Sequence, residues 1–534
     1  MEINMPDDTA RKTGAATRLG SSMLLVSGGI LLSRVFGLLR DVVFAEYWGT
    51  GTAFAAFAIA FTIPNLLRAL FGEGAFSAAF VPVFSARLEA SDRSEAWQAA
   101  QRVITVQALV LLGAVGLISL ISMAGLVLLP ETAPPRLALA LKLTPLVMPY
   151  ALLICLTGAL SGVLNSMGHF AVPALTPVIL NLVLIGATML VCPAWEMAGI
   201  APVYALGGAV LLAGLVQLGA QIAACARRGM HLRLQLNWSD PHVRKVALLM
   251  APALLGTGVT QLNVVVDRFL AGWLGSAAVG SLWYSQRLVY LPVGLFGVAM
   301  GVVCLPAMSR AWAREDHEAM SNSTTFALRH VLFLAVPCAA LLSVAAVPII
   351  RLLFERGAFD GRSVAETAWA LAFYLPGIPA FCCAKVAVTP FYAQHDTKTP
   401  VKIAVLCMVI NLLLNLILMQ FLRQGGLALA TTISSYLNVS LLLLLTWRRT
   451  RSLQAQRLSY AAIRIAVAAA AAAVAGRSVL RRVPAPPHWP ATAALFMQLA
   501  ACGVAAALVY LTVCLVLKSR EPAELLGALR RKKP

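Results

Sequence analysis

The stretch LLVSGGILLSRVFGLLRDVVFAEY (residues 24–47) is long enough to cross a membrane, yet it carries Arg34, Arg40 and Asp41. Twenty-four helical residues rise about 36 Å, against a hydrocarbon layer of about 30 Å. A charged side chain at the centre of such a helix costs about 2.5–3.5 kcal/mol on insertion scales. Charges kept there need a partner or a task.

The same apolar texture extends over the whole chain. Of 534 residues, 60% are hydrophobic and 12% charged, with a mean hydropathy of +0.82. The apolar runs are continuous, without the two-residue alternation of a membrane-barrel strand, so they predict helices. We expect an all-α polytopic membrane protein with spans near 20–46, 52–86, 102–128, 138–164, 170–192, 202–225, 246–272, 277–307, 328–353, 366–393, 400–421, 427–447, 460–476 and 491–517. The second is longer than a bilayer requires and should bend at Pro64 or break around Gly72–Gly74. The first twenty residues mix Asp7 and Asp8 with Arg11, Lys12 and Arg18 and show no signal-peptide pattern. The ten cysteines have no metal-ligand spacing and read as small buried hydrophobes.

The net charge of +20 reads as loop bias toward the cytoplasm and attraction to anionic headgroups, not as nucleic-acid binding. With the N-terminus inside, the cytoplasmic segments hold 27 of the 42 basic residues and the outer loops nine. The main inner clusters are Arg227, Arg228, Arg233, Arg244 and Lys245; Arg448, Arg449, Arg451 and Arg457; and Arg530, Arg531, Lys532 and Lys533. Fourteen spans then place both termini inside, in a bacterial cytoplasmic membrane.

An internal repeat emerges at nearly one offset. FVPVFSAR (80–87) resembles CLPAMSRA (304–311), GHFAVP (168–173) resembles HDTKTP (395–400), and Arg40–Asp41 falls on Asp267–Arg268 in reversed order. This divides the chain into a cytoplasmic segment 1–19, a six-helix lobe 20–227, a linker 228–245, a second six-helix lobe 246–447, a helix pair 448–517 and a basic tail 518–534. Repeated halves of this kind suit a transporter that rocks one half against the other.

Within the spans lie six cations, Arg34, Arg40, Arg68, Arg268, Arg287 and Lys385, and at most three acids, Asp41, Glu73 and Asp267. On a straight helix Arg40 and Asp41 point about 100° apart, so pairing between them is not assured. The surplus of cations points to an anionic ligand, and five arginines suit the bidentate geometry of phosphate or carboxylate. For a single pair such as Asp267–Arg268, a structural salt bridge is an equal alternative. In IPNLLRALFGEGAFSAAFVP (63–82), Pro64 frees a carbonyl, Asn65 can meet it, Arg68 follows one turn on, and Glu73 between two glycines reads as a non-helical break. Those glycines serve either ligand approach or helix packing. No HxxxH or HExxH pair and no Walker A loop occurs, which speaks against an enzyme, a metal site or ATP hydrolysis. We expect no cofactor, and transport driven by an ion gradient or the membrane potential, with the coupling ion open.

SRVFGLLRD (33–41), PNLLRALFGEGAFSAAFVP (64–82), YSQRLVYLPVGLFGVAMG (284–301) and DTKTPVKIAV (396–405) resemble the MurJ (MviN) lipid II flippases of the multidrug/oligosaccharidyl-lipid/polysaccharide exporter superfamily. The resemblance spans nearly the whole chain. It implies transport of undecaprenyl-diphosphate-linked disaccharide-pentapeptide from the inner to the outer leaflet, in a two-lobed bundle with a cationic cavity. It also implies that Arg34, Arg40, Arg68 and Arg287 bind the diphosphate and carboxylate, with Ser33, Asp41 and Asn65 matching the same motifs; Glu73, Asp267, Arg268 and Lys385 are expected as supporting in-span charges. The final helix pair would shelter the lipid tail. The expected partners are the lipid-linked glycan, membrane lipids and the peptidoglycan-synthesis machinery. The chain departs from the family pattern at Ala55, Gln286 and Tyr290, where acids are usual, leaving a site poorer in acids. Alternatives are a flippase for another polyprenyl-linked glycan, a drug exporter of the same fold, or a non-transporting scaffold of envelope synthesis.

Overall fold

The computed structural model describes residues 8–90, 93–450, 454–482 and 489–530. Asp7, Arg451, Arg531, Lys532 and Lys533 lie outside them. The described residues form helices and connections, with no strand among them. The helices are α1 (Asp8–Trp48), α2 (Thr52–Ala90), α3 (Arg93–Leu128), α4 (Pro135–Val147 and Pro149–Ser166), α5 (Ala171–Met197), α6 (Val203–Ala226) and α7 (Pro241–Leu274). They continue with α8 (Ser276–Ala313), α9 (His317–Phe354), α10 (Gly361–Ala393), α11 (Lys398–Leu422), α12 (Gln424–Thr450), α13 (Ala455–Arg482), α14 (Ala491–Val516) and a short α15 (Glu521–Arg530). Among the described residues, thirteen stretches from α2 to α14 are long and apolar enough to cross a membrane. The first expected span, 20–46, lies on the 41-residue α1. This is a polytopic all-α membrane fold.

Two compact units account for the chain. One comprises the residues up to Tyr47 together with Ala56–Gln261; the other comprises Trp48–Ala55 and everything from Leu262 on. In the first unit, phenylalanines four apart on α2 form a ladder: Phe76, Phe80 and Phe84 stack at 5.1 and 5.6 Å and end on Trp97 of α3 at 5.8 Å. The i, i+4 spacing aligns the rings on one helix face, and burial of each supplies apolar area that small side chains cannot. In the second unit α13 sets a small-residue face, Ala468, Ala469 and Ala472, against α14 and Phe333 of α9. Small side chains let helix backbones approach closely where lipid removes any hydrophobic preference for packing. Beyond α14, Arg329 of α9 holds the buried Glu521 of α15 at 2.6 Å.

Proline and glycine punctuate the long helices. α2 turns from α-helical to π-helical geometry at Arg68–Gly72, just after Pro64, and only Glu73 separates this turn from the helix that resumes at Gly74. α8 does the same at Val293–Val298, directly after Pro292. The two π segments begin 225 residues apart, the offset at which the sequence matches recur. Nine of the ten cysteines are buried and all ten are free thiols.

Candidate functional site: charges held within the helices

On α1 the charged residues have opposite surroundings. Arg40 is buried and engaged at every corner of its guanidinium. Its Nη2 and Nε donate to Asp41 Oδ1 at 2.8 and 3.2 Å, and its Nη1 donates to Asn181 Oδ1 of α5 at 3.1 Å. The Asn181 amide also donates to the Ser33 carbonyl at 3.4 Å, which ties α5 to α1 at two levels. Asp41 is only 1% exposed. The pairing left open by the 100° divergence of neighbouring helical residues does form, because the arginine stem is long enough to fold back over the carboxylate. Arg34, six residues earlier, is exposed and has no hydrogen-bond or ion-pair partner among the described residues. Arg34 is an exposed cation, whereas Arg40 is tied to its neighbour and to α5.

The break in α2 carries the second cluster. Arg68 Nη1 meets Glu73 Oε1 at 2.7 Å, both side chains remaining part-exposed. The π turn frees backbone carbonyls, and neighbouring helices answer them. Gln107 of α3 donates to the Phe71 carbonyl at 2.6 Å, and the Cys155 thiol of α4 to the Leu67 carbonyl at 3.4 Å. Gly158 of α4 lies so close to Gly72 that a Cβ would come within 2.0 Å of the Gly72 oxygen. The two glycines flanking Glu73 therefore differ: Gly72 is packed against α4, and Gly74 is exposed. Asn65 is half-buried on the same helix.

In the second unit Asp267 and Arg268, adjacent on α7, go separate ways. Asp267 accepts from Asn415 of α11 at 2.6 Å and from Thr431 of α12 at 3.3 Å. Arg268 donates to the Val279 carbonyl and to Gln286 of α8, at 3.2 and 3.4 Å, and its guanidinium lies 5.2 Å from the centre of the Trp283 ring. No Asp267–Arg268 salt bridge forms among the described residues; each charge is answered by neutral dipoles or a π face. Arg287 stacks on the same indole at 4.9 Å and is exposed. The ring quadrupole of the indole attracts both guanidiniums. Lys385 of α10 is exposed as well.

At the three departures from the acidic pattern, Ala55 is fully buried and Tyr290 exposed, while Gln286 bridges Arg268 to the Tyr374 hydroxyl, which its amide reaches at 3.0 Å. A neutral amide thus does the bridging that an acid would do.

Sequence reasoning passed over Asn181, Asn415 and Trp283. The two asparagines hold matching places: α5 braces the charges of α1, and α11 those of α7. Amides inside apolar runs, one in ILNLVL (179–184) and two in VINLLLNLIL (409–418), were the available signal.

The family model for "Lipid II flippase MurJ" matches residues 44–486. The chain belongs to the MurJ lipid II flippase family. A probable MurJ lipid II flippase of Vibrio cholerae is 36% identical over 435 residues, covering 80% of this chain and 82% of the relative. The MurJ lipid II flippase of Burkholderia cenocepacia is 35% identical over 439 residues, covering 80% and 83%. A solved MurJ lipid II flippase, in an inward closed conformation, superposes with a TM-score of 0.74 at 25% identity and covers 94% of this chain and all of its own. An inward-facing multidrug-resistance MATE transporter of the MOP superfamily shares the fold at a TM-score of 0.64, with 14% identity over 81% of this chain and 99% of its own.

Proposed function

We propose that this chain flips lipid II from the inner to the outer leaflet of the cytoplasmic membrane, its two repeated halves alternating access to an arginine-lined path. The carrying observation is the pairing of MurJ family membership with cations that stay exposed or part-exposed inside apolar helices. Arg34, Arg68 and Arg287 grip the diphosphate. Arg40, locked to Asp41 and Asn181, positions α1 so that Arg34 faces the path. Both termini lie in the cytoplasm.

The lipid explains the architecture. Withdrawing a polyprenyl tail from the bilayer would cost about 0.8 kcal/mol per CH₂, so the tail stays in the membrane while the headgroup crosses. The path must therefore open sideways, and the headgroup needs charge-complementary shelter on the way. Coupling to the membrane potential suits such a site, since moving one charge through 100 mV is worth about 2.3 kcal/mol.

The test is complementation in cells depleted of their own flippase, read together with a leaflet-specific lipid II accessibility assay. Arg34→Ala and Arg287→Ala should each abolish rescue and leave lipid II in the inner leaflet, at unchanged protein level. Full rescue by both variants overturns the assigned roles. A drug exporter or a scaffold would leave the lipid II distribution unchanged on depletion and replacement.

A further inference from the structure

A polar cavity of about 530 Å³ opens within the second unit, where the connections α1–α2, α7–α8, α9–α10 and α11–α12 meet. Each of these joins an odd-numbered helix to an even one, so all four share one face of the membrane. The strongly basic connections α6–α7 and α12–α13 join even to odd helices and belong to the opposite face. With the basic loops inside, the cavity opens outward.

Two arginines and two acids line the cavity. Its acids are engaged: Asp360 Oδ1 accepts the Ser363 amide at 2.8 Å and caps α10, and Glu366 accepts the Gln424 side chain. Ser363 also holds the Asp360 carboxyl below its usual range, so it stays ionised and bound to its own helix. Its arginines are less committed. The Arg423 guanidinium has no hydrogen-bond or ion-pair partner among the described residues, and Arg362 pairs with Glu366 only at 4.0 Å. Both side chains are exposed, on a face that carries few basic residues at all.

The backbone adds a second observation. Arg423 has φ +52° and ψ −128°, a conformation that glycine adopts without strain and that other residues rarely hold. Glycines follow at 425 and 426, yet the strained position carries an arginine. Across the cavity Gly275, at φ +154°, has no side chain in the way, and a Cβ there would lie 3.9 Å from Arg423 Nη2. Two hydroxyl pairs complete the wall, Thr50 with Ser363 at 2.9 Å and Thr52 with Ser276 at 3.2 Å. In each pair only one proton is used, and the other can be donated to a ligand.

We propose that this cavity is an outer headgroup site, in which Arg423 and Arg362 hold the carboxylate end of the peptide stem after it has crossed. The inference rests on the lipid II reading and adds a site distinct from the arginines within the helices. The volume lies in the range of small-ligand pockets and accommodates a peptide end, while the sugars and the diphosphate remain outside it. A peptide carboxylate is the complement of two exposed guanidiniums, one unpaired and one loosely paired, flanked by hydroxyl donors. Anchoring the stem there gives the headgroup a hold on the outer face as the diphosphate leaves the in-helix arginines.

The test uses the full chain in lipid nanodiscs and a water-soluble disaccharide-pentapeptide that lacks lipid and diphosphate, with its C-terminal amide as comparison. The acid should bind saturably. Amidation, Arg362→Ala or Arg423→Gly should each weaken it about tenfold, the loss of one charge-assisted contact. Glycine suits the backbone at 423, so this variant tests the guanidinium without disturbing the turn, and Arg423→Lys should restore part of the affinity. Arg356→Ala removes a charge from the same connection outside the cavity and should change nothing. Absent saturable binding, equal binding of the amide, or binding that survives the double variant overturns the site. So does a loss confined to Arg34→Ala, which would put the peptide against α1. Lipid II flipping is measured in parallel on the same protein. A chain that flips lipid II but ignores the probe overturns the outer site alone, and a chain that does not flip it overturns the reading beneath.

Discussion

Arg34 and Arg40 stand six residues apart on one helix, and their roles separate through what each touches. Arg40 neutralises a carboxylate that is 1% exposed. Removing one partner of such a buried pair costs about 3–5 kcal/mol, because the remaining charge is left uncompensated. Arg40→Ala should therefore lower the thermal transition and the yield of folded protein in detergent. Arg34→Ala should leave both unchanged while flipping is lost. Equal stability of the two variants would remove the strut role. Outside the membrane, Asp396 shows a different kind of control. Burial works against its ionisation, but the Thr399 hydroxyl and amide at 2.6 and 3.0 Å and Arg449 at 2.8 Å outweigh it and hold the carboxyl at about 2. A depressed carboxyl contributes stability above its unfolded value of 3.8 and loses it as pH falls toward 2. The destabilisation caused by Asp396→Asn should thus be constant from pH 7 to about 5 and shrink only below about 4, as thermal melts across pH would show.

The break in α2 is the element on which the site turns. Pro64, Gly72 and Gly74 made a bend or break legible in the sequence, and the structure puts the break at Glu73. What the sequence did not show is how the freed carbonyls are satisfied, since Gln107 and Cys155 come from helices 36 and 88 residues distant in the chain. An unmatched carbonyl in a membrane interior costs several kcal/mol, so these donors are part of the break itself. The contact with Gly158 is equally specific. Gly158→Leu should push α4 away from Gly72 and destabilise by about 1–3 kcal/mol, the usual range for overpacking, with flipping lost alongside. Unchanged thermal stability in that variant would show that α4 does not brace the break. α8 repeats the device with its own π turn after Pro292, so a proline followed by a π segment belongs to both halves.

For the molecule as a whole, charge bias and span count carry the topology. Reporters fused to either terminus should behave as cytoplasmic, fluorescent if they fold only inside and inactive if they require export; an exported C-terminus would break the even count. The apolar runs made the helices readable, because each must span about 30 Å of hydrocarbon with its own backbone hydrogen bonds satisfied. The in-span arginines likewise made it readable that these charges must be answered, since a bilayer does not tolerate idle charge. Which arginines are open could not be read. Arg34 and Arg40 differ only because Asn181 and Asp41 close around one of them. Asp267 and Arg268 sit side by side, yet they are answered by α11 and α12 on one hand and α8 on the other. Local patterns announce that a charge is present and must be compensated. Its compensation comes from donors far along the chain, and only the packing of helices brings those donors within reach.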